Sequence, residues 1–565
     1  MHKRELGFFG GSEVRMSVGV TVPTTLGLLL FCYLTSTAWA WEAKRAEALN
    51  RPREVIYNND GDEPLIWSTN QTFSIAGFLD MRTTPVLESQ VDTVFYSPTR
   101  GFAFLTANIP SADLMLRNLN VVSTPYFNDK TNVMQSFLDL GTDPLREVVS
   151  WCRTNNLEVF ASLRVNDTHD AGTDQTKVGP PYDQRNWLFP PFKIQHPEML
   201  MGSYTNRTPY CNWSAVDFTH ETVRERLFQM CRDLCTHYDV DGLDLDFYRH
   251  MQLFKSVAWG GTASDGERAM MTELMRRIRV AAETEGKRRG RPILISVRVP
   301  DSVPYCWDVG IDLEAWLREG LLDLVMTSGY WRHNPWQYTA ELCRRYNVKS
   351  YASFDESRLG RWGTKLAPAL KRGTRETYRA RAMAARQAGL DGIMYFNMFS
   401  PERIKDFMEG NLERMRLDDK SYFVSYRGHQ SHAGRYVKGG ERHFVLPELS
   451  VRAPAQIEPG KDSEFPIWIG DDIEALSQVD IRPRCELLLD VAIPEGAVLS
   501  ITVNGHTVVG GEPVDDRVRR YPLRLEDLVC GENLLRFSVA EGEGLKVVTL
   551  KDAGIFLTEF SNTKQ

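Results

Sequence analysis

Between residues 54 and 400 the chain alternates short apolar, β-branched or aromatic runs with longer amphipathic stretches. Strands buried on both faces and covered by helices produce that alternation. The runs that read as strands are Glu54–Tyr57, Val91–Tyr96, Glu158–Val165, Gly242–Phe247, Ile293–Val299, Leu324–Ser328, Ser350–Phe354 and Gly392–Phe396. Helical spacing of apolar positions appears between them, at Pro144–Asn155, Glu221–Thr236, Gly266–Glu285 and Arg375–Ala388. Eight such units over ~350 residues match a (β/α)8 TIM barrel with insertions. A doubly wound sheet is the rival, but no Gly-x-Gly-x-x-Gly follows the first strand.

Past about residue 415 the helical period stops. Phe465–Ile469, Cys485–Ala492, Val498–Val503, Leu534–Val539 and Lys546–Leu550 alternate at period two, with turns such as Asn504-Gly505 and Gly510-Gly511 between runs. That pattern predicts a β-sandwich, jelly-roll-like in character. The expected α/β organisation is a signal peptide over 1–40, a barrel over 41–415 and an accessory sandwich over 416–565, which we expect to brace the barrel.

The N-terminus changes the picture of where the protein works. Lys3, Arg4 and Arg15 precede an apolar run from Leu26 to Leu34, and Ala38 and Ala40 give a small-x-small cleavage pattern. The run is short for a bilayer span, so we expect export, to the periplasm or outside the cell, with no membrane insertion after cleavage. A net charge of −7 argues against nucleic acid as a partner. Nine cysteines show no zinc-ligand spacing, so no metal or other cofactor is expected.

Barrel enzymes place their chemistry at the C-terminal ends of the strands. Here those ends are polar. The first gives Asp60; the third Arg164, Asn166, Asp167 and His169; the fourth Asp244, Asp246 and Tyr248; the fifth Arg298 and Asp301. The sixth gives Tyr330 and Trp331, the seventh Asp355 and Glu356, and the eighth Asn397. One polar end is commonly a helix cap; seven on one rim read as a site. The loop from Thr168 to Asn212, rich in Pro, Tyr, Trp and Phe, either walls that site or packs over the barrel. Period two puts Asp244, Asp246 and Tyr248 on one face of the fourth strand. Neighbouring buried carboxylates raise the pKa of at least one. Asp244 also reads as a buried hydrogen-bond hub supported by Arg164 or Arg298.

The segment Asp241-Gly242-Leu243-Asp244-Leu245-Asp246-Phe247-Tyr248 resembles strand four of the family-18 chitinases, Asp-Gly-x-Asp-x-Asp-x-Glu, with Tyr248 where that family carries its acid Glu. The stretch from Thr222 through Asp239-Val240-Asp241-Gly242, with Gly389 to Asn397, is similar to bacterial family-10-like glycosyl hydrolases. These resemblances imply a glycosidase working by paired carboxylates on a polysaccharide or glycoconjugate. By that analogy Asp246 is acid/base and Glu356 or Asp355 nucleophile; alternatively Asp246 is the nucleophile and Asp301 or Glu356 donates the proton. Asp244 would share the catalytic pair's environment. Asp60, Arg164, Asn166, Asp167, His169, Tyr248, Arg298, Tyr330, Trp331, Asp355 and Asn397 would bind sugar. The Tyr at the strand-four Glu position motivates one alternative, a carbohydrate-binding (lectin-like) barrel without catalysis. A metal-dependent hydrolase would need a cluster, for which His169, Asp167 and His250 are the candidates.

Overall fold

The computed structural model describes residues 40–104, 106–114, 129–172, 189–329, 331–354, 366–407, 415–425, 433–447, 449, 451, 454–478, 481–540 and 546–562. Residues 1–39 of the expected signal segment, Tyr330, Asp355 and Glu356 lie outside them, as does 173–188 of the aromatic loop.

Eight parallel strands close into a barrel. They are β1 (Val55–Asn59), β2 (Thr93–Tyr96), β3 (Glu158–Arg164), β4 (Gly242–Asp246), β5 (Leu294–Val299), β6 (Leu324–Thr327), β7 (Lys349–Phe354) and β8 (Gly392–Tyr395). Each pairs with its sequence neighbour, and β1 closes the ring on β8. All eight strands read from the apolar runs are present, and the closed ring excludes the open doubly wound sheet. The expected helices are present too: α1 (Pro144–Thr154), α2 (Glu221–His237), α3 (Asp265–Arg289) and α4 (Arg375–Gln387). Helix α3 starts at a capping box, Ser264 with Glu267, and ends at Gly290 with φ 75°. Its local chemistry thus defines both ends.

Register places the polar strand ends in rows. Ser162 of β3, Asp244 of β4 and Ser296 of β5 are directly paired. Two residues on, Arg164, Asp246 and Arg298 form the next row toward the mouth. Period-two alternation points both rows into the barrel.

The C-terminal region folds as two antiparallel sheets, one built on Ile481–Ala492 and Val548–Asn562, the other on Ser463–Ile469 and Gly531–Val539. Alternating residues of both, among them Leu487, Leu489, Ile555, Ile467, Leu535 and Phe537, join one buried core. The last strand runs well past the Leu550 limit expected from sequence, because burial continues at Ala553, Ile555 and Leu557. A short helix, Ile473–Gln478, lies between the runs Phe465–Ile469 and Cys485–Ala492. The sandwich docks on α4 and on the segment before it. Arg372 forms a buried ion pair with Asp552 and donates to the Val424 carbonyl at 2.9 Å. No helix among the described residues is long and apolar enough to cross a membrane.

Candidate active site

Asp244 lies in the lower row. Its two oxygens accept hydrogen bonds from Ser162 Oγ at 2.7 Å and Ser296 Oγ at 2.8 Å, and it has no solvent exposure. Burial, then the charge of Asp246, pushes its pKa up to about 6. It is indeed a hydrogen-bond hub, but serines, not arginines, contact it. Because its folded pKa is raised, the native state binds the extra proton between about pH 4 and 6. Asp244 therefore disfavours folding progressively as pH rises through that window. Asp244→Asn is expected to raise stability by about 1–3 kcal/mol at pH 7.5 and to change it little at pH 4. Paired thermal melts at the two pH values check this, and an equal gain at both would contradict the assignment.

The upper row is an alternation of charge. Asp246 Oδ2 accepts from Arg298 Nη2 at 2.7 Å, and Oδ1 accepts from the Arg249 backbone N–H at 2.9 Å. Arg164 reaches Asp60 at 2.7 Å and Asp167 at 3.1 Å. Arg249 donates to Asn397 Oδ1 at 2.7 Å and contacts His169 Nε2 at 3.3 Å. Arginine can only donate, so His169 Nε2 accepts and Nδ1–H points to Asp167 Oδ1, 2.5 Å away. Burial pushes the His169 pKa down to about 4, against the pull of Asp167. Asp60 and Asp167 are held well below the ordinary carboxylate range by their guanidinium and histidine neighbours, which outweigh burial. Arg298 also lies 3.5 Å over the Phe396 ring, so that strand eight supports its planar face.

His250 stands edge-on to His169 with ring centroids 5.0 Å apart. Asp167, His169 and His250 offer ligand atoms within 4.8 Å of one another. A cation there would have to displace Arg249 from His169 and sit beside Arg164. The chemistry of this cluster is that of a buttressed Asp–His pair inside an arginine shell, and it fits a divalent ion poorly.

Other nominated residues are committed elsewhere. Asn166 spends its amide on the backbone of Val216, at 2.8 and 3.0 Å, and on the Gln252 carbonyl. Asp301 accepts from the His333 backbone at 2.9 Å, His333 Nδ1 at 3.1 Å and the Asn334 backbone at 3.0 Å, and so anchors the loop after β6. Trp331 is buried, with its ring stacked on Tyr436 at 6.0 Å, so it is not an open stacking floor. Tyr248 is buried too, and its hydroxyl donates to the Trp331 carbonyl at 3.0 Å. Asp60, Arg164, Asp167, His169, Asp246, Arg298 and Asn397 do converge. Arg249, the hub that joins four of them, was not nominated from sequence. Its place directly after Tyr248, at the end of the sharpest motif, was the available signal.

No family model matches the chain, and no curated protein matches it. Among solved structures it is similar to α-L-fucosidase isoenzyme 2 from Paenibacillus thiaminolyticus. That match has 10% identity and a TM-score of 0.37, over 65% of this chain and 48% of that one, about half the fucosidase's length. It is also similar to the glycoside hydrolase domain of PgaB (BpsB) from Bordetella bronchiseptica, at 12% identity and TM-score 0.36, over 63% and 99% of the two chains. Chitinase ChiA74 from Bacillus thuringiensis matches at 8% identity and TM-score 0.34, over 88% and 100%. These neighbours are glycoside hydrolases; the functional reading is carried by this chain's own barrel mouth.

Proposed function

We propose that the protein is an exported glycoside hydrolase that cleaves O-glycosidic bonds in a polysaccharide or glycoconjugate. The observation that carries this reading is the row Arg164, Asp246, Arg298 at the C-terminal end of adjacent strands, where barrel enzymes hold their reacting groups. Both Asp246 oxygens accept hydrogen bonds from nitrogen donors. A carboxylate so held suits the nucleophile, or the stabiliser of an oxocarbenium-like centre, better than the proton donor. Asp301, with three N–H groups on its carboxylate, does not suit the donor role either. Glu356, two residues after β7 in the sequence, is then the residue assigned to protonate the leaving oxygen. Asp60, Arg164, His169, Arg249 and Asn397 would hold sugar hydroxyls, for which a fixed array of donors and acceptors is well matched.

A second reading, carbohydrate binding without cleavage, has its own support. Tyr248 stands where the chitinase-like motif has its acid and is tied to the Trp331 carbonyl. The test is release of reducing ends from a panel of polysaccharides by wild type, Asp246→Asn and Glu356→Gln. We expect release by wild type and a loss of at least about 100-fold in each variant. Saturable binding without release would replace hydrolysis by the binding reading. Neither binding nor release would sink both.

A further inference from the structure

Asp167, His169 and Arg249 stand in a line that ends at Asp246. Asp167 is fully buried, and its Oδ2 accepts from Arg164 Nη1 at 3.1 Å. Its Oδ1 accepts from the His169 backbone N–H at 2.8 Å and from the ring Nδ1–H at 2.5 Å. Two bonds from one residue to one oxygen fix the ring's orientation as well as its tautomer. The opposite ring nitrogen, Nε2, keeps its lone pair, and Arg249 Nη2 donates to it at 3.3 Å.

Arg249 is 4% exposed and comes three residues after Asp246. Its backbone N–H donates to Asp246 Oδ1 at 2.9 Å. The residue that holds this carboxylate is therefore the one whose side chain His169 meets. Other contacts of the guanidinium come from the first and last strand ends: Asn397 Oδ1 at 2.7 Å, Asp60 Oδ2 at 3.9 Å and the face of Phe396 at 5.3 Å. Asn397 takes φ 56°, the left-handed region that Asn tolerates better than most residues. Arg249 lies past the end of β4, in no helix or strand, so its place depends on these side-chain anchors more than on a ladder.

We propose that His169 is a positioning residue for Asp246: its Nε2 lone pair, fixed by Asp167, holds Arg249, whose backbone holds the carboxylate. This rests on the glycosidase reading above and adds to it the condition that His169 be neutral. A proton on Nε2 would replace the acceptor by a donor and set a cation against Arg249. The His169 side chain is 31% exposed, so solvent protons reach it. Asp167 favours that proton, and Arg249 and Arg100 oppose it. Arg164, Lys193 and His250 stand around Asp167.

The experiment measures reducing-end release against pH by the full chain and by His169→Gln and His169→Leu, with thermal melts of each. Gln places an amide oxygen near the position of Nε2 and does not titrate; Leu fills the volume without an acceptor. At neutral pH we expect His169→Leu to lose about tenfold or more in kcat, with a smaller change in KM, and His169→Gln to recover most of that loss. On the acid side wild type should fall off with one proton more than His169→Gln, whose limb is the shallower. Equal rates for wild type and His169→Leu, or equal losses in the two variants, would overturn the positioning role. Identical acid limbs for wild type and His169→Gln would overturn the neutral condition. A wild type that releases no sugar removes the glycosidase reading instead. The role of His169 is then decided by proton–nitrogen correlation spectra of the histidine-labelled chain: the Nδ1–H tautomer supports it, and the Nε2–H tautomer overturns it.

Discussion

Arg298→Met is expected to lower stability by about 3–5 kcal/mol, the scale on which a buried ion pair reports the loss of one partner. Arg298 is fully buried, bonds Asp246 at 2.7 Å and rests on Phe396. Methionine keeps much of the apolar stem but strands the Asp246 carboxylate, which is 5% exposed, with one backbone N–H. The stranded charge, not lost packing, supplies most of that cost. The double variant Arg298→Met, Asp246→Asn should therefore recover much of the loss, with a coupling of about 2 kcal/mol or more. Urea unfolding of wild type, both single variants and the double variant measures it. A loss below about 1 kcal/mol for Arg298→Met, or strict additivity, would show that Asp246 does not depend on this arginine.

Gly470→Ala is expected to uncouple the sandwich from the barrel. A Cβ at Gly470 would lie 2.2 Å from the Met383 carbonyl carbon and 2.4 Å from the Ala384 nitrogen, both backbone atoms of α4. Helix backbone does not yield as a flexible side chain does, so the two regions must part locally or α4 must shift. The same joint holds the Arg372–Asp552 pair, with Arg372 4.4 Å over the Phe423 ring, and the Tyr422 hydroxyl bonded to Asp471 at 2.6 Å. Separation would expose these buried charges, and the expected loss is about 3 kcal/mol or more. Calorimetry should show the unfolding transition splitting or falling by several degrees, together with new proteolytic cleavage near residues 415–425. A single transition within about 2 °C of wild type would mean that the contact is not the constraint described.

Asp246 and Asp301 show what could be read before the fold was known. Asp246 ends β4 and Asp301 comes two residues after β5, and both read as candidate catalytic carboxylates. Local periodicity placed Asp246 on the inward face, and the register with Arg164 and Arg298 sustains that position. Asp301 instead meets His333 and Asn334, more than thirty residues away in the chain. Asn166 and Trp331 have the same history, since their partners are backbone and rings from other loops. Conversely, the buried Ser328 and Ser353 hydroxyls, which meet no partner, leave no mark in the sequence, because two serines at strand ends are ordinary residues there.

The order and number of the barrel strands, the inward face of β4 and the two-sheet C-terminal region follow from the sequence by itself, because period and burial are local properties of a strand or helix. Which carboxylate is paired, which is sealed beneath serines and which merely anchors a loop was decided only when eight strand ends closed into one ring. Ion pairs and desolvation act over a few ångströms in space, and the partners of these groups lie far apart along the chain.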